Sequence, residues 1–177
     1  MTTSPAQSPY TEPWLRGTHE DVPAAARAVL HALELALDDL VRWTADLTDA
    51  EIHAQPFGLT SIAYHLGHIV GATDRILTYA EGVELTDAQL AALKAEQGSD
   101  DRQESLVELL AVVEASFSRA TERIRALAGV NLDTPRFVGR KRLPTSAGGA
   151  LIHVADHTLR HVGQVVTTAK VLKALRG

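Results

Sequence analysis

Apolar residues recur at three- and four-residue steps along four long stretches of this chain. The cleanest stretch carries Leu106, Leu109, Leu110, Val113, Phe117, Ala120, Ile124 and Leu127, and it ends at Gly129. That spacing puts the apolar side chains on one face of an α-helix. A helix with one apolar face has to bury it against a neighbour, so four such helices point to an all-α four-helix bundle. The first stretch holds Ala26, Val29, Leu30, Leu33, Leu37, Leu40 and Val41 and runs to about Ala45, with Trp43 closing its apolar side. Asp21 is predicted to cap it, with Pro23 in its first turn. The second stretch holds Ile62, Leu66, Ile69, Ile76 and Ala80, capped by Thr60 or Ser61 and stopped at Gly82. The fourth starts at Ser146 or Thr145 and runs to about Leu175.

The connections carry their own signals. Thr48-Asp49-Ala50-Glu51 has the form of a capping box on a short helical turn, and Pro56 and Gly58 end it. Thr86-Asp87-Ala88-Gln89 opens a short connecting helix between Leu85 and Gln97, broken by Gly98-Ser99-Asp100-Asp101. That connection is long enough to cross a bundle, so a simple up-down-up-down path is not required. Val130 to Pro144 reads as a loop, and no convincing strand is seen. Residues 1–20, rich in Pro, Ser, Thr and Gly, read as an extended or partly ordered arm with Trp14 as an anchor, and residues 21–177 as one bundle domain.

Composition narrows the chemistry. The chain has no cysteine among its 177 residues, which excludes disulfides, Cys-based zinc sites and a cysteine nucleophile. Net charge is -5, which favours solubility and argues against a nucleic-acid surface. The one basic cluster, Arg136 to Arg142, falls in the predicted loop and reads as a solvated connection. No apolar run is long enough to span a membrane, and the first residues lack the form of a secretory signal. A cytoplasmic location is the expectation. HExxH, paired Glu-x-x-His, GxSxG, P-loop and GxGxxG patterns are all missing.

What remains is histidine, with eight copies, five of them in two short clusters. His153, His157 and His161 recur at steps of four, one helical turn apart. On a helical wheel His153 and His161 fall about 40° to either side of His157, at the border of the apolar arc. The second helix also carries a polar and aromatic stripe beside its core face: Ser61, Tyr64, His68, Ala72, Arg75 and Tyr79, with His65 displaced toward the apolar side. Should the two stripes face each other, His68, His157 and His161 would form one site for a divalent metal with open positions for water or substrate. Otherwise such histidines serve as packed side chains that hydrogen-bond to Tyr or Asp. His19, His31 and His53 stand apart and read as surface or loop residues.

Two of these runs resemble a known family. Ser61-Ile62-Ala63-Tyr64-His65-Leu66-Gly67-His68-Ile69, followed by Asp74-Arg75-Ile76-Leu77-Thr78-Tyr79-Ala80-Glu81-Gly82, resembles the second helix of the DinB/YfiT-like superfamily. His157-Thr158-Leu159-Arg160-His161-Val162-Gly163-Gln164 resembles its C-terminal His-x-x-x-His-x-Gly-Gln motif, with Val162 where an arginine is common. The resemblance implies an up-down-down-up bundle and a homodimer. It also implies a divalent metal, zinc or nickel, on His68, His157 and His161. His65 is the rival to His68 on residues alone. His65, Arg75, Tyr79, His153 and Gln164 are then candidates for supporting the ligands or lining a substrate site. Arg75 and Tyr79 would orient an anionic substrate, against a plainer role in packing or a surface ion pair. Known activities in the family include metal-dependent transfer to or from a low-molecular-weight thiol such as bacillithiol or mycothiol, and maleylpyruvate isomerisation. The resemblance therefore implies a thiol-dependent transferase acting on a small molecule, with no catalytic residue assigned. Two other functions compete with it: a non-catalytic metal- or ligand-binding stress-response bundle, and a helical interaction module with structural histidines.

Overall fold

The computed structural model describes residues 10–96 and 103–176. The start of the predicted arm, the end of the connecting helix at Gln97 and its break at Gly98-Ser99-Asp100-Asp101 lie outside the described residues. The described residues form six α-helices: α1 Ala24–Thr44, α2 Asp49–His53, α3 Ile62–Glu81, α4 Asp87–Glu96, α5 Leu106–Leu127 and α6 Ala147–Leu175. None of them is long and apolar enough to cross a membrane.

Local chemistry sets the helix starts. The Thr48 and Ser105 side chains each accept from the N3 amide while the N3 glutamate, Glu51 or Glu108, bonds back to the cap backbone. Ser61 and Ser146 cap α3 and α6 through their hydroxyls. At the end of α3, Gly82 takes the left-handed conformation, φ 82°, and closes the helix onto Thr78 and Tyr79. Asp21 does not cap α1: the N-cap is Pro23, with no side-chain cap bond, and Asp21 pairs with Arg125 at the end of α5.

The four long helices pack in a closed ring of pairs. Both α1 and α3 lie against α5 and α6. Helices adjacent along the chain are thus not always adjacent in space. The shared core includes Leu30, Leu40, Leu66, Ile69, Leu77, Ile124, Leu151 and Val154, all essentially removed from water. Each such aliphatic side chain contributes about 1.5–3 kcal/mol by burial. Near one end, the Arg176 fork on Glu51 and the bond from Leu106 N to Asp49 bring the end of α6 and the start of α5 to α2. At the other end Arg123 of α5 bridges Asp74 and Glu81 of α3.

Three further expectations need correction. The segment read as a loop contains a hairpin: β1 Pro135–Val138 pairs antiparallel with β2 Leu143–Ser146. Its turn uses left-handed residues at Gly139 and Arg142. Second, Trp14 is no anchor, being 63 % exposed, whereas Pro13 beside it is buried. From Tyr10 onward the arm is ordered, the second of its two expected forms. It lies along α1 through Arg16 to Asp38 at 2.6 Å, Thr18 to His31 at 3.1 Å and His19 to Glu34 at 2.7 Å. His31, read as a surface residue, is buried by this arm. His53 is half-buried and bonds to the Glu104 carbonyl.

Candidate metal centre

The packing of α3 on α6 brings the two histidine stripes together. His68 comes from α3, and His157 and His161 come from successive turns of α6. The α6 backbone holds that spacing because Val154, Thr158, Val162 and Val165, on its adjoining face, are buried. One ligand atom from each of the three imidazoles lies within 4.8 Å of the other two. Ring centroids are 4.5 Å apart for His68 and His161, 4.6 Å for His157 and His161, and 5.2 Å for His68 and His157. Three nitrogens bound to one tetrahedral ion stand about 3.4 Å apart, so small ring rotations close the gap.

The electrostatics suit a cation. Burial pushes His157 down to about 4, helped by the nearby His161, His68, His153 and Arg160. His161 is lowered by burial first and then by His68 and Arg160. Both are neutral at pH 7, with a lone pair available. A donor set of three half-buried imidazoles fits a divalent ion of the first transition row. The three-histidine group can hold such an ion.

Around the three lie further polar side chains. His65 is buried on the core side of α3, and its Nδ1 is 3.0 Å from Nδ1 of His161. Burial, then His161 and His68, hold His65 down at about 4. Tyr64 stacks on His68, with planes 6° apart. Glu96, the last residue of α4, accepts from His68 Nδ1 at 3.1 Å. Arg75 grips the same carboxylate with two bonds, 2.5 and 2.9 Å. Burial opposes ionisation of Glu96, but the bonds from His68 and Arg75 outweigh it, so its carboxyl stays below the usual range.

The other candidates separate. Arg75 is buried and reaches His68 only through Glu96. Tyr79 lies elsewhere, in a cavity with Glu84, Leu90, Phe137 and Arg142. His153 touches the edge of His157, at 5.4 Å between centroids, but turns its Nδ1 to Asp156 at 2.6 Å. Gln164 is exposed. Glu96 was not foreseen: α4 has no buried residue, so no pattern in its sequence marks which side chain points inward. A cavity of about 410 Å³ between α3 and α5 is lined from α3 by Val70, Asp74 and Leu77. No histidine is among the residues that line it.

Comparison with known proteins adds one match. The sequence model of the DinB superfamily matches residues 32–165, well over half the chain and spanning all three histidines. No curated protein matches it.

Proposed function

The chain belongs to the DinB superfamily, and on that premise we propose that it is a divalent-metal protein whose three-histidine centre serves a thiol-dependent transfer reaction. The observation that carries this reading is the convergence of His68, His157 and His161, with ligand atoms within 4.8 Å. Zinc or nickel suits an all-imidazole set with open positions. Such an ion, once bound, keeps its full charge and lowers the pKa of a thiol or water beside it. The protein supplies no thiol, since it has no cysteine. The sulfur nucleophile therefore comes from a cosubstrate, a low-molecular-weight thiol, and the acceptor is a small electrophile. A cytoplasmic location accords with such a cosubstrate.

The side chains around the centre orient and exclude. Tyr64 covers one face of His68, and His65 backs His161 from the core. The long helices are read as an up-down-down-up bundle. Support comes from the contacts at their ends. The end of α5 meets the start of α1 through Arg125 and Asp21, and the end of α6 meets the end of α1 through Lys173 and Asp46. A homodimer is part of the same reading, and light scattering that shows a strict monomer at micromolar concentration would remove it.

Metal analysis of the purified protein after zinc or nickel reconstitution tests the centre. One equivalent in the wild type and none in His157→Ala is the expected result; no metal in the wild type would sink the reading. Assays with several thiols and electrophiles then separate catalysis from storage. Bound metal with no thiol transfer would leave a non-catalytic metal-binding bundle.

A further inference from the structure

We propose that Glu96 is a positioning residue for the histidine centre: held in place by Arg75, its carboxylate fixes which nitrogen of His68 faces His157 and His161. This inference rests on the three-histidine reading above.

The argument starts from α4. It is a short helix with no buried residue, yet its last side chain, Glu96, is only 13 % exposed. Arg75 donates from Nη1 to Oε1 at 2.5 Å and from Nη2 to Oε2 at 2.9 Å. Such a fork fixes the plane of the carboxylate as well as its place. Oε2 then lies 3.1 Å from His68 Nδ1. An ionised carboxylate only accepts, so Nδ1 of His68 carries the hydrogen. The lone pair is left on Nε2, at the opposite edge of the ring. A metal shared with His157 and His161 requires a lone pair there. A carboxylate behind a ligating imidazole also raises its basicity and stops it from turning.

Gly71 makes the arrangement possible. It lies between His68 and Arg75 on α3, and any Cβ there would overlap Glu96 Oε1 and come within 2.7 Å of Arg75 Nη1. The carboxylate thus sits against bare backbone. The simpler alternative is that Glu96 merely docks α4. Docking, however, has a separate tether: Gln89 donates to Asp74 Oδ2 at 2.6 Å and to Thr78 Oγ1 at 2.9 Å. The two roles can therefore be pulled apart.

Nitrogen NMR of histidine-labelled, metal-free protein near pH 7.5 reads the His68 tautomer directly. The wild type and Gln89→Ala are expected to show the Nδ1–H form. Glu96→Ala and Gly71→Ala are expected to shift His68 toward the Nε2–H form. Zinc affinity, by chelator competition, should fall about ten- to a hundredfold in Glu96→Ala and stay within about twofold of wild type in Gln89→Ala. An unchanged tautomer or unchanged zinc affinity in Glu96→Ala overturns the proposal, as does Gln89→Ala reproducing both losses. Should Glu96→Ala fail to fold, Glu96→Met, which keeps the length of the side chain and removes its oxygen acceptors, carries the same comparison. If the wild type takes up no zinc, the metal reading fails, while the tautomer comparison still decides whether Glu96 positions His68.

Discussion

Nδ1 of His65 on α3 lies 3.0 Å from Nδ1 of His161 on α6. Only one of these nitrogens can carry the hydrogen between them, so the pair is stable only while at least one ring is neutral. His65 is pushed from an ordinary 6.5 down to about 4, first by burial and then by His161 and His68. The unfolded chain therefore takes up this proton at a higher pH than the folded one does. Stability is complete above about 6.5 and drains away as pH falls toward 4. The loss from His65 should be on the order of 2 kcal/mol across that window, after allowance for solvent screening. Urea midpoints of metal-free protein at pH 7.5 and 4.5 measure it. His65→Gln should shrink the difference between the two midpoints. An equal difference in wild type and variant would place the acid sensitivity elsewhere.

Thr73 offers a test of the core. It is buried, and its hydroxyl oxygen has no hydrogen-bond partner. It lines the cavity of about 410 Å³ between α3 and α5. Valine has nearly the same shape and nothing to satisfy. Thr73→Val should therefore stabilise the protein by about 1–2 kcal/mol, a rise of roughly 2–8 °C in Tm for a chain of this size. A lower Tm would mean that water in the cavity satisfies the hydroxyl.

Arg123 binds the far half of α3 to α5 with five hydrogen bonds from one guanidinium to Asp74, Thr78 and Glu81. Nε and Nη2 hold Glu81 at 2.6 and 2.9 Å, Nη1 holds Asp74 at 2.7 Å, and Nη2 also meets Thr78 at 3.0 Å. Both carboxylates keep partial access to water, at 31 % and 49 %. Arg123→Ala should then cost about 1–3 kcal/mol, less than a fully buried network would. Denaturant midpoints in low and high salt check this, with the gap between wild type and variant expected to narrow in salt.

The sequence was legible wherever one periodic signal governed the outcome. All four long helices follow from apolar spacing, and the cap at Thr48 follows from its capping-box pattern, whereas the pairs Thr60-Ser61 and Thr145-Ser146 leave open which member caps, and the structure selects Ser61 and Ser146. The His157 and His161 pair was visible because a helix converts a spacing of four into proximity. The hairpin was hidden because Pro135 and Pro144 each remove a donor from strands of only four residues, and neither strand buries a full face. His31 was misread because the arm that covers it, through Thr18 and His19, carries no periodic signal. Glu96 lies 28 residues from His68 on a helix without an apolar face, so only tertiary structure could reveal it.

His153 sets the outer limit of the centre. It continues the i, i+4 row of His157 and His161, yet its side chain is 46 % exposed and its Nδ1 meets Asp156 at 2.6 Å. Its contact with His157 is an edge-on packing of rings at 5.4 Å. A ligand would need its free nitrogen within reach of the other three, and the converging group comprises His68, His157 and His161. Substituting His153→Ala should leave one zinc per chain and an affinity within about threefold of wild type. Substituting His157→Ala, which removes one of the three converging imidazoles, should cost far more than the ten- to a hundredfold typical of outer partners. Chelator competition on both variants, with metal content measured beside it, makes the comparison. A loss of about tenfold or more in His153→Ala would bring His153 into the centre as a partner of His157.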